Sequence, residues 1–513
     1  MKTMRRIGFS IAVLLALGAC TDDESATAQS DLPKKEYGEE WYAGGKMGTV
    51  FNATTSAYRR PMPAITADAS LHAAFNRGAD LFEQSFAPSG DAFGGLGPVY
   101  IRKSCIACHP GYGGRSARVG GRFDTTDGRN GYLLMIYDPA SPTLALASKY
   151  FTGMTQTRAA APFKAPIDER GITITWHQDY VDEWGNRYPD GMPYSAGEEW
   201  EGTLQYPTVE VEQSAILFPD FDMSRHAASI EATIGIYGTG LLDAISDEDL
   251  RAEYAAQQAR GYCPGVIGPD IEDSAEDNPY YPGIHPGRFT YLCTRGSLDN
   301  GPGSNAIWNI TNVTRRDRRY NYITEEYARV MARDEEVQRA LGESEEAIFA
   351  RLMSRELPVE MEDGAYEDLL VWHRGLAVPA ARNLEDPVVQ RGRTIFYEIG
   401  CTACHRPSWT TRENYKPLPA ISNQKIWPYS DLLRHNLGMK EPGRAGLCRT
   451  TPLWGRGLMM RCAGHQDRLH DLRARSTEEA ILWHEGEARP TKVKFRNLSR
   501  EDREALIAFI DAI

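Results

Sequence analysis

Apolar positions recur at helical spacing in several stretches of the chain. From about Asp68 to Ser85, Leu71, Phe75, Ala79 and Phe82 share one side, which predicts an amphipathic helix. Further on, Asp386-Pro387 supplies an N-cap and a first-turn proline. Val388, Gly392, Ile395, Phe396 and Ile399 give the helix that follows its apolar side. The last segment opens at Ser499 and carries Leu506, Phe509, Ile510 and Ile513 at i, i+3, i+4 and i+7. A capping box, Ser476-Thr477-Glu478-Glu479, opens one more helix that runs through Trp483-His484. Residues 170–220 break this period. There β-branched and aromatic residues, as in Gly171-Ile172-Thr173-Ile174-Thr175-Trp176, mix with turn signals and predict short strands or hairpins. Residues 228–257 read as helical around Ile234 to Ile245, and 323–355 as charged helix. Residues 262–312 are Gly/Pro/Asn-rich loop, and Glu367 to Leu376 is a helix leading toward the C-terminal part.

Two of these helices are related. Arg77-Gly78-Ala79-Asp80-Leu81-Phe82 and Arg391-Gly392-Arg393-Thr394-Ile395-Phe396 both read R-G-x-x-[LI]-F. Each precedes a C-x-x-C-H run, Cys105-Ile106-Ala107-Cys108-His109 and Cys401-Thr402-Ala403-Cys404-His405. C-x-x-C-H is the attachment signature of a c-type haem. Two thiols about a helical turn apart add across the haem vinyl groups, and the adjacent His reaches the iron. A C-x-x-C pair alone also fits a redox dithiol or half a zinc site. The His after both pairs argues against the dithiol, and the distance between the pairs argues against one shared zinc. The predicted cofactors are two covalently bound haem c. The small Gly in each repeat lets another helix approach closely, and the last helix is the expected partner in the C-terminal unit.

The expected fold is therefore mainly α, with two cytochrome c-type haem domains and a loop-rich, partly β insertion region between them. The expected division is a signal peptide over 1–20, a flexible tether over 21–62 and an N-terminal haem domain with insertions over 63–250. A disulfide-pinned loop and helical connecting region follows over 251–385, and a C-terminal cytochrome c domain over 386–513. Formal charge is −13, and near −16 once Lys2, Arg5 and Arg6 leave with a signal peptide. That balance disfavours nucleic acid and anionic membrane surfaces as partners and suits a basic redox partner. Lys2 to Arg6 and the apolar Ile7 to Leu17 form a targeting segment too short to span a membrane as a mature helix. Leu17-Gly18-Ala19-Cys20 resembles a bacterial lipobox with Cys20 lipidated; a plain secretory signal with an incidental Cys is the alternative. The first reading places the protein on the periplasmic side of a bacterial cell envelope, lipid-anchored to a membrane. Of the nine Cys, Cys20 and the four haem cysteines leave Cys263, Cys293, Cys448 and Cys462. Cys263–Cys293 and Cys448–Cys462 are the simplest of three possible disulfide pairings, and reactive thiols the alternative.

The chain resembles the bacterial di-haem oxidoreductase ("putative peroxidase") family, related to the di-haem cytochrome c peroxidases and the di-haem enzyme of methylamine utilisation. The residues that carry this are Gly95-Leu96-Gly97-Pro98-Val99-Tyr100 before Ser104-Cys105, Gly240-Leu241-Leu242-Asp243-Ala244-Ile245 and Leu376-Ala377-Val378-Pro379-Ala380. The densest run is Arg449-Thr450-Thr451-Pro452-Leu453-Trp454-Gly455, Leu469-His470-Asp471 and Glu479 to His484. The likeness is dense after residue 370, patchy from 75 to 250 and absent from about 255 to 360.

For the second haem the sixth-ligand candidates are Met439, Met459, Met460, His470 and His484. In related di-haem peroxidases an axial residue follows the turn His by fourteen positions, which from His470 lands on His484. The alternative for His484 is an amphipathic-helix histidine near a propionate. The first haem shows no equally convincing sixth ligand, His177 and Met135 being weaker candidates, so peroxide chemistry is expected there. By position in the family, Arg225 and Glu231 are the catalytic candidates, Glu231 to move a proton and Arg225 to stabilise developing charge. Trp454 is the candidate for an aromatic between the haems. Relatives also hold calcium between domains, but no acidic loop here commits to it.

The resemblance implies a di-haem oxidoreductase that takes electrons at the C-terminal haem and passes them to the N-terminal haem for peroxide reduction or related high-valent iron chemistry. Its partners would be an electron-donor protein or small redox carrier and a small oxidant such as hydrogen peroxide. The alternative is a non-catalytic electron-transfer or accessory cytochrome, possibly linked to metal uptake, with 255–360 as a docking surface.

Overall fold

The structure, a computed structural model, describes residues 31–88, 95–112, 117–194, 200–301, 306–439 and 446–513. The signal segment and Cys20 lie outside them. Among the described residues no helix is long and apolar enough to cross a membrane.

Two crossed helix pairs frame the molecule. Helix α1 (Ala69–Glu83) packs on α3 (Asp363–Gly375), and α4 (Pro387–Glu398) packs on α6 (Arg500–Ala512); the short helices α2 (Thr239–Asp243) and α5 (Thr477–Leu482) fall between the members of each pair in the chain. The R-G-x-x-[LI]-F repeat explains both crossings. A Cβ on Gly78 would stand 2.2 Å from the Asp368 carbonyl oxygen, and one on Gly392 would stand 1.8 Å from that of Ala505. Only glycine allows such an approach. One residue earlier, Arg77 bonds Asp368 at 2.6 Å and Arg391 bonds Asp502 at 2.7 Å across the same crossings. Four residues later, Phe82 meets Trp372 with ring centroids 4.2 Å apart, and Phe396 meets Phe509 at 5.4 Å. The expected partner of α4 is confirmed. The partner of α1 is α3, a helix the sequence reading had placed in the connecting region. The helix that covers α1 is therefore far along the chain, ending at Gly375.

The region between is more than loop. Strands β1 (Gly121–Arg122), β2 (Leu133–Tyr137), β3 (Ile172–Tyr180), β4 (Leu204–Val211) and β5 (Ala227–Glu231) form an antiparallel sheet in the order β1-β3-β4-β5-β2. Ile172 and Ile174 face its core while Thr173 and Thr175 face out, the alternation of a half-buried strand. The charged helices Glu325–Arg333, Glu335–Leu341 and Glu345–Leu352 bury Tyr327, Met331, Val337, Ile348 and Leu352 in one cluster with Ile172, Ile174 and Ile230. They are part of the sheet's core and not a connector. The fold is thus mixed α and β rather than mainly α.

Two further expectations are corrected. The segment expected as a tether is packed from residue 31 onward. Ala43, Val50, Tyr58 and Met62 are buried, and Thr49–Val50 pairs in parallel with Val378–Pro379. Among the described residues no disulfide forms, so neither Cys263–Cys293 nor Cys448–Cys462 is made. Cys263 lies against Cys404, Cys293 is fully buried, and the Cys462 thiol donates to the Thr54 carbonyl. The 262–312 loops are pinned by charge instead. Asp273 accepts from Ser297 and Asn300, Arg288 pairs with Asp247, and Asp299 pairs with Arg374 of α3.

Candidate haem centres

Each C-x-x-C-H run opens onto its own cavity. The first, of about 200 Å³, is lined by Cys105, Cys108 and His109 together with Glu231, Arg295 and His373. The second, of about 170 Å³, is lined by Cys401, Cys404 and His405 with Met439, His470 and His484. In each motif the histidine is oriented in the same manner. His109 Nδ1–H donates to the Ile234 carbonyl at 3.1 Å, and His405 Nδ1–H to the Tyr429 carbonyl at 3.0 Å. A ring held through Nδ1 carries its lone pair on Nε2, the tautomer a metal ligand needs. Burial pushes the pKa of His405 down to about 4, which keeps it neutral. The bond from His109 also explains why Ile234 to Tyr237 are not helical. That backbone is drawn to the motif, Thr233 bonding the Cys108 carbonyl, and a short helix begins only at Thr239.

The motif residues fit haem rather than a bare ion. A haem brings two carboxylates into a buried site, and each cavity offers cations. Arg295 lines the first; Arg449, Arg456 and Arg468 line the second. Arg449 Nε is buried with no hydrogen-bond partner, as a site awaiting an acceptor requires. Cys404, Asp431 and His435 do place ligand-type atoms within 4.8 Å of one another. They are bonded among themselves: Asp431 engages Nε2 of His435 and Glu487 engages Nδ1, each at 2.8 Å. Burial opposes a charge on His435, but these two carboxylates prevail and lift its pKa to about 10.

The structure sorts the remaining candidates. His484 lines the second cavity, and its Nδ1–H donates to the Ala480 carbonyl at 2.6 Å. Met439 and His470 line it too. Met459 does not: its sulfur accepts from Arg468 at 2.8 Å. Met460 is exposed. Glu231, at the end of β5, lines the first cavity, whereas Arg225 is exposed in the turn before β5 and reaches neither cavity. His177 bonds Thr208 on the sheet, and Met135 faces an outer groove.

Trp454 lines neither cavity; it is buried under Gly238, and its carbonyl accepts from Tyr237. The residue shared by the two cavities is Tyr291. It is 2 % exposed and its ring stands edge-on to His470, with centroids 6.2 Å apart. Tyr291 comes from the 255–360 stretch, and no spacing rule pointed to it. An open groove of about 990 Å³ runs along β4 and β5. It shares Leu437, Met439 and His470 with the second cavity, so this cavity has an edge toward solvent.

Residues 350–513 match the family described as "Di-haem oxidoreductase, putative peroxidase". That description names a di-haem oxidoreductase, and the matched residues include the second motif and not the first. The match begins just before α3, so it also spans the helix that covers α1. No curated protein matches the chain. Among solved structures, hydrazine synthase of Kuenenia stuttgartiensis aligns at 13% identity with a TM-score of 0.26. The alignment covers 56% of this chain and 73% of that one, and at that score it carries no argument.

Proposed function

We propose that the chain is a di-haem c-type oxidoreductase that takes electrons in at its C-terminal haem and delivers them to its N-terminal haem for peroxide reduction. The observation that carries this reading is Tyr291, which walls both cavities at once. When bound, the haems supply one-electron transfer and the reductive cleavage of an O–O bond, chemistry no side chain here provides alone. Cys105 and Cys108, with Cys401 and Cys404, hold the two groups as thioethers. His109 and His405 would offer ring nitrogens to the haem irons, with His484 as a further nitrogen at the C-terminal site. Arg295 and the Arg449, Arg456 and Arg468 set pair with the haem carboxylates. Glu231, in the wall of the first cavity, would hold and return the proton that peroxide reduction requires. The groove beside Met439 and His470 receives the donor, a redox protein or small carrier. A lipid anchor at Cys20 and a periplasmic site of action belong to the same reading.

A second reading is favoured by one observation. His373 lies in the first cavity, and an iron that it kept capped in the half-reduced as well as the oxidised protein would make the chain an electron-transfer cytochrome. Rapid mixing of the half-reduced protein with hydrogen peroxide separates the two. Stoichiometric reoxidation of the protein by peroxide supports the enzyme. Spectra unchanged by peroxide in both oxidised and half-reduced protein refute it.

A further inference from the structure

The sequence offers no convincing sixth ligand for the first haem, yet a buried histidine in that cavity lacks an explanation. His373 sits on α3, is 6 % exposed, and lines the same cavity as His109. Its Nε2 is buried with no hydrogen-bond partner. Leaving such an acceptor unsatisfied is costly, so a native fold that keeps one has a use for it. The helix is held rigidly where His373 emerges: Trp372 packs on Phe82, Gly78 is pressed on the backbone at Asp368, and Arg374 is locked to Asp299 and Tyr415.

We propose that His373 is the sixth ligand of the haem held by Cys105, Cys108 and His109. The internal repeat sharpens this. Trp372 occupies against Gly78 and Phe82 the place that Phe509 occupies against Gly392 and Phe396. The next residue along each helix therefore corresponds, His373 in the first unit and Ile510 in the second. Both line their cavities. The unit that has His484 carries an apolar residue at this position, and the unit without such a histidine elsewhere carries His373. Met154, the other soft donor lining this cavity, is only half-buried.

The inference rests on the proposed haem attachment, and the test keeps the two apart. Haem content of the purified holoprotein is measured first by pyridine haemochrome; fewer than two haems per chain defeats the haem reading itself. With two haems, His373→Ala is compared with the parent by absorption and electron paramagnetic resonance. The expected result is one of two low-spin ferric centres turned high-spin, with added imidazole restoring it. His373→Met, which keeps a ligand and an apolar fit, should stay low-spin with that centre's potential raised. A parent protein already high-spin at this haem, or an Ala variant with two haems and an unchanged spectrum, overturns the assignment.

Discussion

Gly392→Ala tests the helix crossing that carries the second motif. The added Cβ would stand 1.8 Å from the Ala505 carbonyl oxygen and 2.9 Å from Phe509 Cβ. Cβ atoms do not pack closer than 3.0 Å to such neighbours, so α4 and α6 must part by roughly 1.2 Å at this point. Because the obstacle is backbone on a packed helix, no rotamer change relieves it. Overpacking of this kind costs about 1–3 kcal/mol, against about 0.5–1 kcal/mol gained from replacing a helical glycine. The clash wins, and since about 1 kcal/mol shifts the melting temperature of a chain this long by about 1 °C, that of the haem-loaded protein should fall by about 1–2 °C. Gly364→Ala is the control. It lies near the start of α3 with nothing within 4 Å of the new Cβ, so it should be neutral or raise stability by up to about 1 kcal/mol. Thermal unfolding followed by circular dichroism reads both. If Gly392→Ala melts with or above the parent, the crossing is not as close as described and the argument fails.

Four further outcomes follow from the same structure. Tyr291→Leu, which removes the shared aromatic wall, should slow electron equilibration between the two centres after rapid partial reduction, while haem content stays at two; an unchanged rate removes Tyr291 from the path. His435 gains stability from Asp431 and Glu487 as a cation, so its contribution is complete below its unfolded pKa of about 6.5 and is lost as pH rises through about 10. His435→Gln should therefore flatten the fall in urea midpoint between pH 7 and 10, and an equal slope in both proteins contradicts the assignment. Arg391→Ala breaks only a surface ion pair and should cost under about 1 kcal/mol by denaturant titration, far less than Gly392→Ala in the same helix. Cys263, Cys293, Cys448 and Cys462 should all react with a thiol reagent in denatured, unreduced protein, and protection of two or four of them by disulfides would restore the original pairing.

What the sequence disclosed was local. The R-G-x-x-[LI]-F repeat and the two C-x-x-C-H runs pointed to the two cavities because their geometry is written in consecutive residues. The α4–α6 crossing was legible because α6 ends the same short domain. The α1–α3 crossing was not. Its partners are separated by nearly the whole insertion, and the period of an amphipathic face does not say which distant helix covers it. His373 was missed for the same reason: it becomes a cavity residue only once α3 is placed on α1. Tyr291 carries no motif, and Trp454 was favoured because its neighbours resembled a family run. Glu231 reached the expected cavity as the end of a strand, while Arg225, six residues earlier, falls on an exposed turn. The disulfide pairing failed because nearness in sequence says nothing about nearness of sulfurs, and buried Arg–Asp pairs stabilise those loops instead.

The central claim is that two haems are attached through Cys105, Cys108, Cys401 and Cys404. Pyridine haemochrome assay of purified, acid-acetone-extracted protein tests it most directly. The account expects two haems per chain, both resisting extraction, falling to one when Cys105 and Cys108 or Cys401 and Cys404 are replaced by Ser. One haem or none in the parent, or haem lost to the solvent, would contradict it.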